Sequence, residues 1–191
     1  MARSDNVLEL PDHLPVPQDD GACAHLEGSR VPAVPLRATH GETVYLSRLT
    51  GTSVVYIYPR TGRPDQELPT GWNDIPGARG CTPQSCGYRD RYVELQKLGV
   101  CAVYGLSSQD SAYQQEAVAR LNLPFEILSD EKLAFARALK LPTFAVDGMQ
   151  LIRRITLIIR DGIIVKVLYP VFPPDRSAQD VIAWLAGARG A

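Results

Sequence analysis

Residues 52–59 read TSVVYIYP, an unbroken run of β-branched and aromatic side chains. A half-exposed strand alternates apolar with polar residues, so a run without alternation has to be covered on both faces. VCAVYGLS at residues 100–107 is a second such run. RRITLIIRDGIIVKVLYP supplies two more strands, meeting at Asp161-Gly162, a dipeptide suited to a tight hairpin turn. Helical patterns lie between and after these runs. One starts with Thr82 as cap and Pro83 in the first turn, lines up Tyr88, Tyr92, Leu95 and Leu98 on one face, and stops at Gly99. SAYQQEAVARLN is a second helix, FEIL a short strand, SDEKLAFARALKL a third helix opened by a serine or aspartate cap, and SAQDVIAWLAGA a closing helix. The order ββαβαβαββα implies an α/β fold: a central mixed sheet, parallel in part, flanked by helices.

The 191 residues suit one domain. The proline-rich start reads as an extended arm over residues 1–30, followed by a single domain over 31–191. Twenty basic residues against 21 acidic ones leave a net charge of −1 with no basic stripe, which argues against a nucleic-acid partner. The opening lacks the apolar core of a signal peptide, and no run approaches the ~20 apolar residues of a membrane span. The expectation is a cytoplasmic protein away from membranes.

Only four cysteines occur, and two of them, Cys81 and Cys86, share the stretch GCTPQSCGYRDRY. A metal clip fits poorly: the spacing is C-x₄-C, Cys101 sits in an expected buried strand, and His13, His25 and His40 all precede the pair. A permanent bridge is disfavoured in a reducing compartment. A reactive pair is the third reading. Cys81 lies where a long loop delivers the chain to a helix start, and such positions favour an anion; Arg79, Arg89 and Arg91 are close by in sequence. Two residues five apart in a regular helix have Cα atoms roughly 8–9 Å apart. A disulfide wants less than ~7 Å, so a bond between them requires the first helical turn to unwind. A small, half-buried and inert pair remains the plain alternative.

Taken in order, VVYIYPRTG, GCTPQSCGYRDRY, VYGLSSQDS, LPFEILSDEKLAFARAL, RRITLIIRDGIIVKVLYP and IAWLAG resemble the peroxiredoxin family, in particular its Q-type, bacterioferritin-comigratory-protein-like branch. The resemblance spans residues 31–187. It implies a thioredoxin-like fold and reduction of hydrogen peroxide and organic hydroperoxides. Carried over by position, Cys81 is the peroxidatic nucleophile and Cys86 the resolving thiol. Arg154 falls on the family's strand arginine, with Arg153 as the fallback if the register slips. The resemblance further implies an intramolecular disulfide recycled by a thioredoxin-like donor, no metal or organic cofactor, and a monomer or homodimer. A non-catalytic redox sensor or a thiol–disulfide exchange protein would use the same cysteines.

One departure is large. The family pattern places a proline and a hydroxyl residue shortly before the cysteine, whereas here Pro59 and Thr61 lie about twenty residues upstream of Cys81. Thr61 could return if the loop folds back; otherwise Thr82 or Ser85 takes the hydroxyl role. The intervening loop, residues 62–79, holds Trp72 and Gly/Pro corners able to wall a pocket. Cys23 reads as an incidental arm residue, with resolution of Cys81 in another subunit as its alternative role, and Cys101 reads as core.

Overall fold

The structure, a computed structural model, describes residue 6 and residues 8–188. Residues 1–5, 7 and 189–191, the outer parts of the expected arm and domain, lie outside the described residues. In chain order the strands are β1 (Leu36–Ala38), β2 (Thr43–Val44), β3 (Thr52–Ile57), β4 (Val100–Ser107), β5 (Ile127–Ser129), β6 (Thr143–Val146), β7 (Met149–Ile152), β8 (Ile155–Arg160) and β9 (Ile163–Leu168). The helices are α1 (Cys81–Asp90), α2 (Tyr92–Lys97), α3 (Ser111–Leu121), α4 (Ala134–Ala138) and α5 (Ser177–Ala188).

Seven strands form one mixed sheet in the order β2-β1-β5-β4-β3-β8-β9. β3 sits inside it, parallel to β4 and antiparallel to β8. Its side chains alternate between two cores. Val54, Tyr56 and Tyr58 pack with Tyr88, Leu95, Val181 and Leu185 on one face. Val55 and Ile57 pack with Leu36, Leu106, Phe135 and Leu157 on the other. Burying each such side chain is worth about 1.5–3 kcal/mol, which is why a run with no polar alternation ends up in the middle of the sheet. The Asp161-Gly162 turn forms as its composition demands, with both residues at positive φ. A Cβ on Gly162 would also stand 2.8 Å from the Ser47 carbonyl oxygen, so the backbone packs too closely there for any side chain.

Four local expectations are corrected. The first helix begins at Cys81, not after Thr82, because Gly80 takes the left-handed conformation (φ 100°) at the cap. It also breaks at Arg91, so the expected single helix is two, α1 and α2. SDEKLAFARALKL is helical only over α4; Asp130 still caps, its carboxylate accepting from the Phe135 and Ala136 N–H groups at 3.0 and 2.8 Å. The hairpin β6–β7 was not anticipated, although its turn, Asp147-Gly148, repeats the Asp-Gly signal seen at 161–162.

Cys101 is a further correction. It is exposed rather than core. Thr52 pairs with Val100 and Ser53 with Ala102, so Cys101 is the extra residue of a bulge between β3 and β4. The bulge lets Val100 and Val103 face the same core and turns the thiol outward.

The later part of the arm is tied down. Cys23, Leu26 and Val31 are buried with the Val55/Ile57 core. Residues 28–31 run beside β9: the Gly28 N–H donates to Ile164 O at 2.8 Å, and the Val31 N–H to Gly162 O at 2.9 Å.

Candidate active site around Cys81

Cys81 opens α1 and is 3% exposed. Gly80 before it needs to be glycine for two reasons. Its φ of 100° suits no other residue, and a Cβ would collide with Pro174 and stand 2.7 Å from Leu10 Cδ2 of the arm. The long loop and the arm therefore meet at the first turn of the helix.

Arg154, immediately before β8, is brought to this turn across the sheet. Its Nη2 donates to Cys81 Sγ at 3.2 Å. The same nitrogen faces the carbonyl oxygens of Gly77, Ala78 and Arg79 at 3.1, 3.0 and 3.0 Å, and Nη1 donates to Gln84 Oε1. The Cys81 thiol points to Ala78 O at 3.5 Å. A buried guanidinium so fully engaged is held in one place, and positive charge is thereby fixed beside the sulfur. Arg153, the fallback, lines a crevice with Pro17 and Tyr169 that Arg154 also borders. Among the sequence-adjacent arginines, Arg79 lines the Cys81 cleft, whereas Arg89 reaches Asp90 and Leu121 O, and Arg91 reaches Glu94.

Gln84 was missed by sequence reasoning. It lies one helical turn after Cys81, a spacing that could have flagged it. Its amide is anchored in turn: Nε2 donates to Ser177 Oγ at 3.2 Å, and that hydroxyl lies 3.0 Å from Tyr88 Oη and 3.2 Å from Thr156 Oγ1. A buried polar chain thus connects the guanidinium to α1, α5 and β8.

The three hydroxyl candidates separate. Ser85 accepts from Tyr56 Oη at 3.1 Å. Thr61 donates to Gln109 Oε1 at 3.2 Å, although its neighbours Arg60 and Gly62 do return to the cleft. Thr82 lines the cleft with Cys81. The Tyr58 hydroxyl, also unanticipated, is buried with no hydrogen bond of ordinary geometry. Its ionisation is pushed up chiefly by burial, with the Cys81 sulfur adding to the effect.

Cys86 sits five residues on, half-buried, on a groove of about 530 Å³ that it shares with Leu8, Leu10, Pro83, Gly87 and Asp175. Burial pushes its thiol up, partly offset by Arg89. Both cysteines are free thiols. Cys23 packs against the opposite face of the sheet from Cys81; burial, and then the charges of Asp20 and Asp19, push its thiol up to about 12. Among the described residues no three histidine, cysteine, aspartate or glutamate side chains converge as a metal site would require, and no helix is long and apolar enough to cross a membrane.

A reactive-thiol site on an α/β scaffold of this kind has relatives. Peroxiredoxin Q, chloroplastic, from Suaeda salsa is 29% identical over 83% of this chain and 67% of its own. The protein of that name from Oryza sativa subsp. japonica is 37% identical over 55% of this chain and 42% of its own, so this chain spans well under half of it. Among solved structures, peroxidoxin BcpB from Mycobacterium tuberculosis superposes with a TM-score of 0.69 at 22% identity, covering 85% of this chain and 98% of that one, and bears out the expected thioredoxin-like, peroxiredoxin-type fold. The profile of the redoxin family matches residues 26–182. The chain belongs to the redoxin family, and its relatives there are peroxiredoxins of the Q/Bcp type.

Proposed function

We propose that this protein is a thiol peroxidase in which Cys81 attacks hydroperoxides and Cys86 resolves the product. The observation that carries the reading is the Arg154 guanidinium 3.2 Å from the Cys81 sulfur at the first turn of α1. A thiolate there attacks the terminal oxygen of ROOH. The O–O bond breaks, the sulfur takes up OH to become sulfenic acid, and RO⁻ leaves and takes a proton to give ROH. Arg154, held beside the sulfur, supplies positive charge for the oxyanion that develops as the O–O bond breaks. The Cys86 thiol then condenses with the sulfenic acid, forming an S–S bond and releasing water. Because the two cysteines occupy positions one and six of α1, the first turn unwinds for this step.

A thioredoxin-like dithiol reduces the disulfide by exchange, regenerating both thiols and leaving the donor oxidised. That cycle belongs in a reducing compartment, by our reading the cytoplasm, with residues 31–191 as the working domain and residues 1–30 as its arm, in a monomer or a homodimer. Neither metal nor organic cofactor enters the cycle, since sulfur carries both electrons.

The test is a disulfide map after one equivalent of hydrogen peroxide. The expected product has lost two hydrogen atoms and links Cys81 to Cys86. Unmodified Cys81 after this treatment would overturn the assignment.

A further inference from the structure

The departure at residues 62–79 has its own structure. Leu68, Trp72, Ile75 and Ala78 of this loop pack against Phe144, Val146, Met149 and Leu151 of the β6–β7 hairpin, forming a third small core. Trp72 is 3% exposed, and its ring centroid lies 6.2 Å from that of Phe144. The Thr70 N–H donates to Asp147 Oδ2 of the hairpin turn at 2.9 Å. At the loop's start, Arg120 donates to Gly62 O at 3.1 Å; at its end, the Gly77, Ala78 and Arg79 carbonyls clamp onto Arg154. Held at both ends and in the middle, the loop is a fixed wall.

What it walls is narrow. The cleft over Cys81 has a volume of about 20 Å³, bounded by Arg60, Leu68, Trp72, Arg79 and Thr82. A water molecule needs roughly 10–15 Å³ by the same measure, so the space suits one or two oxygen-sized groups. Drug-sized ligands take roughly 300–1,000 Å³. A roomier cavity of about 380 Å³ lies next door, yet Arg60 stands between the two. That partition is held: Nη1 lies 3.1 Å from Met149 Sδ, and Nη2 donates to Tyr113 Oη at 3.3 Å.

We propose that the loop makes the site a size filter, with Trp72 and Leu68 as the specificity-determining residues, selecting hydrogen peroxide over branched or aromatic organic hydroperoxides. The inference rests on the peroxidase reading above. A bulky R group on ROOH would crowd Trp72, Leu68 and Arg60 as the terminal oxygen approaches sulfur.

The experiment is rapid-quench intact-mass measurement of Cys81 oxidation by hydrogen peroxide, tert-butyl hydroperoxide and cumene hydroperoxide. It compares the wild-type chain with Leu68→Ala and Trp72→Leu, each checked for folding by circular dichroism. The wild type is expected to favour hydrogen peroxide over cumene hydroperoxide by about 100-fold, and each widened variant to shrink that ratio by about tenfold or more. Leu68→Ala, which trims a half-buried side chain, serves alone if Trp72→Leu does not fold. A wild type that oxidises as fast with cumene hydroperoxide, or a ratio unmoved in the folded variants, overturns the filter and leaves the peroxidase reading standing. Inertness to all three peroxides overturns both.

Discussion

Arg154 and Cys81 lie 73 residues apart in sequence and 3.2 Å apart in space, guanidinium nitrogen to sulfur. The arginine is not placed by the cysteine alone. Gln84 and three consecutive backbone carbonyls hold it from the other sides. The positive charge is therefore preorganised, which is what a site stabilising a developing oxyanion requires.

Removing that charge should slow the first chemical step. Arg154→Ala is expected to lower the second-order rate constant for Cys81 oxidation by about 10²–10³, the usual loss for one preorganised donor. Arg154→Lys should recover part of it, because charge returns without the planar fork that reaches Gln84 and the carbonyls together. Rapid-quench kinetics measure both variants.

Gly80→Ala should unfold at lower denaturant. The added methyl meets Leu10 and Pro174, and the backbone at φ 100° is unfavourable for any L side chain. The combined loss is about 1–3 kcal/mol, read as a lowered urea midpoint with an unchanged m-value.

Resolution should depend on local opening. Burial holds the Cys86 thiol protonated above its ordinary range, and the regular helix keeps it away from Cys81. Disulfide formation after a peroxide pulse is therefore expected to speed up with rising pH, and again in urea well below the global midpoint. Cys86→Ser should form the sulfenic acid normally, stop there and fail to turn over with a dithiol donor. Intact mass against time distinguishes these behaviours.

The Cys23 thiol predicts a window of alkaline instability. Its pKa in the folded protein is about 12, against an ordinary 9.0, so between those values the folded chain keeps a proton that the unfolded chain has released. The stabilisation is complete below pH 9 and is lost progressively as pH rises toward 12. Cys23→Ala should flatten that decline in reducing buffer, leaving the part due to other groups pushed up in the folded chain, among them the Cys86 thiol and the hydroxyls of buried Tyr88 and half-buried Tyr169, the last two each raised to about 12. Urea unfolding across the window reads it directly.

Much of the scaffold was legible because its signals are local. TSVVYIYP had to be an interior strand, and Asp161-Gly162 had to turn. Cys81 could be placed at a helix start from the residues that follow it. The hairpin β6–β7 was overlooked because Phe144 and Leu151 acquire a reason to be strand only when Trp72 and Ile75 arrive to cover them. Cys101 misled for a related reason: an apolar run does not reveal a bulge, which exists only in the register between two strands.

By itself, the sequence determined that residues 52–59 and 155–168 would be strands, that two thiols five residues apart would lie at a helix start, and that a long loop would precede them, since periodicity, turn chemistry and spacing act over a few residues. Tertiary structure alone decided that Arg154 and not Arg153 would meet the sulfur, that Thr61 would turn to Gln109, and that the loop would become a wall over Cys81. Those outcomes depend on which faces pack together across the sheet, and packing between distant segments is settled by the whole fold at once.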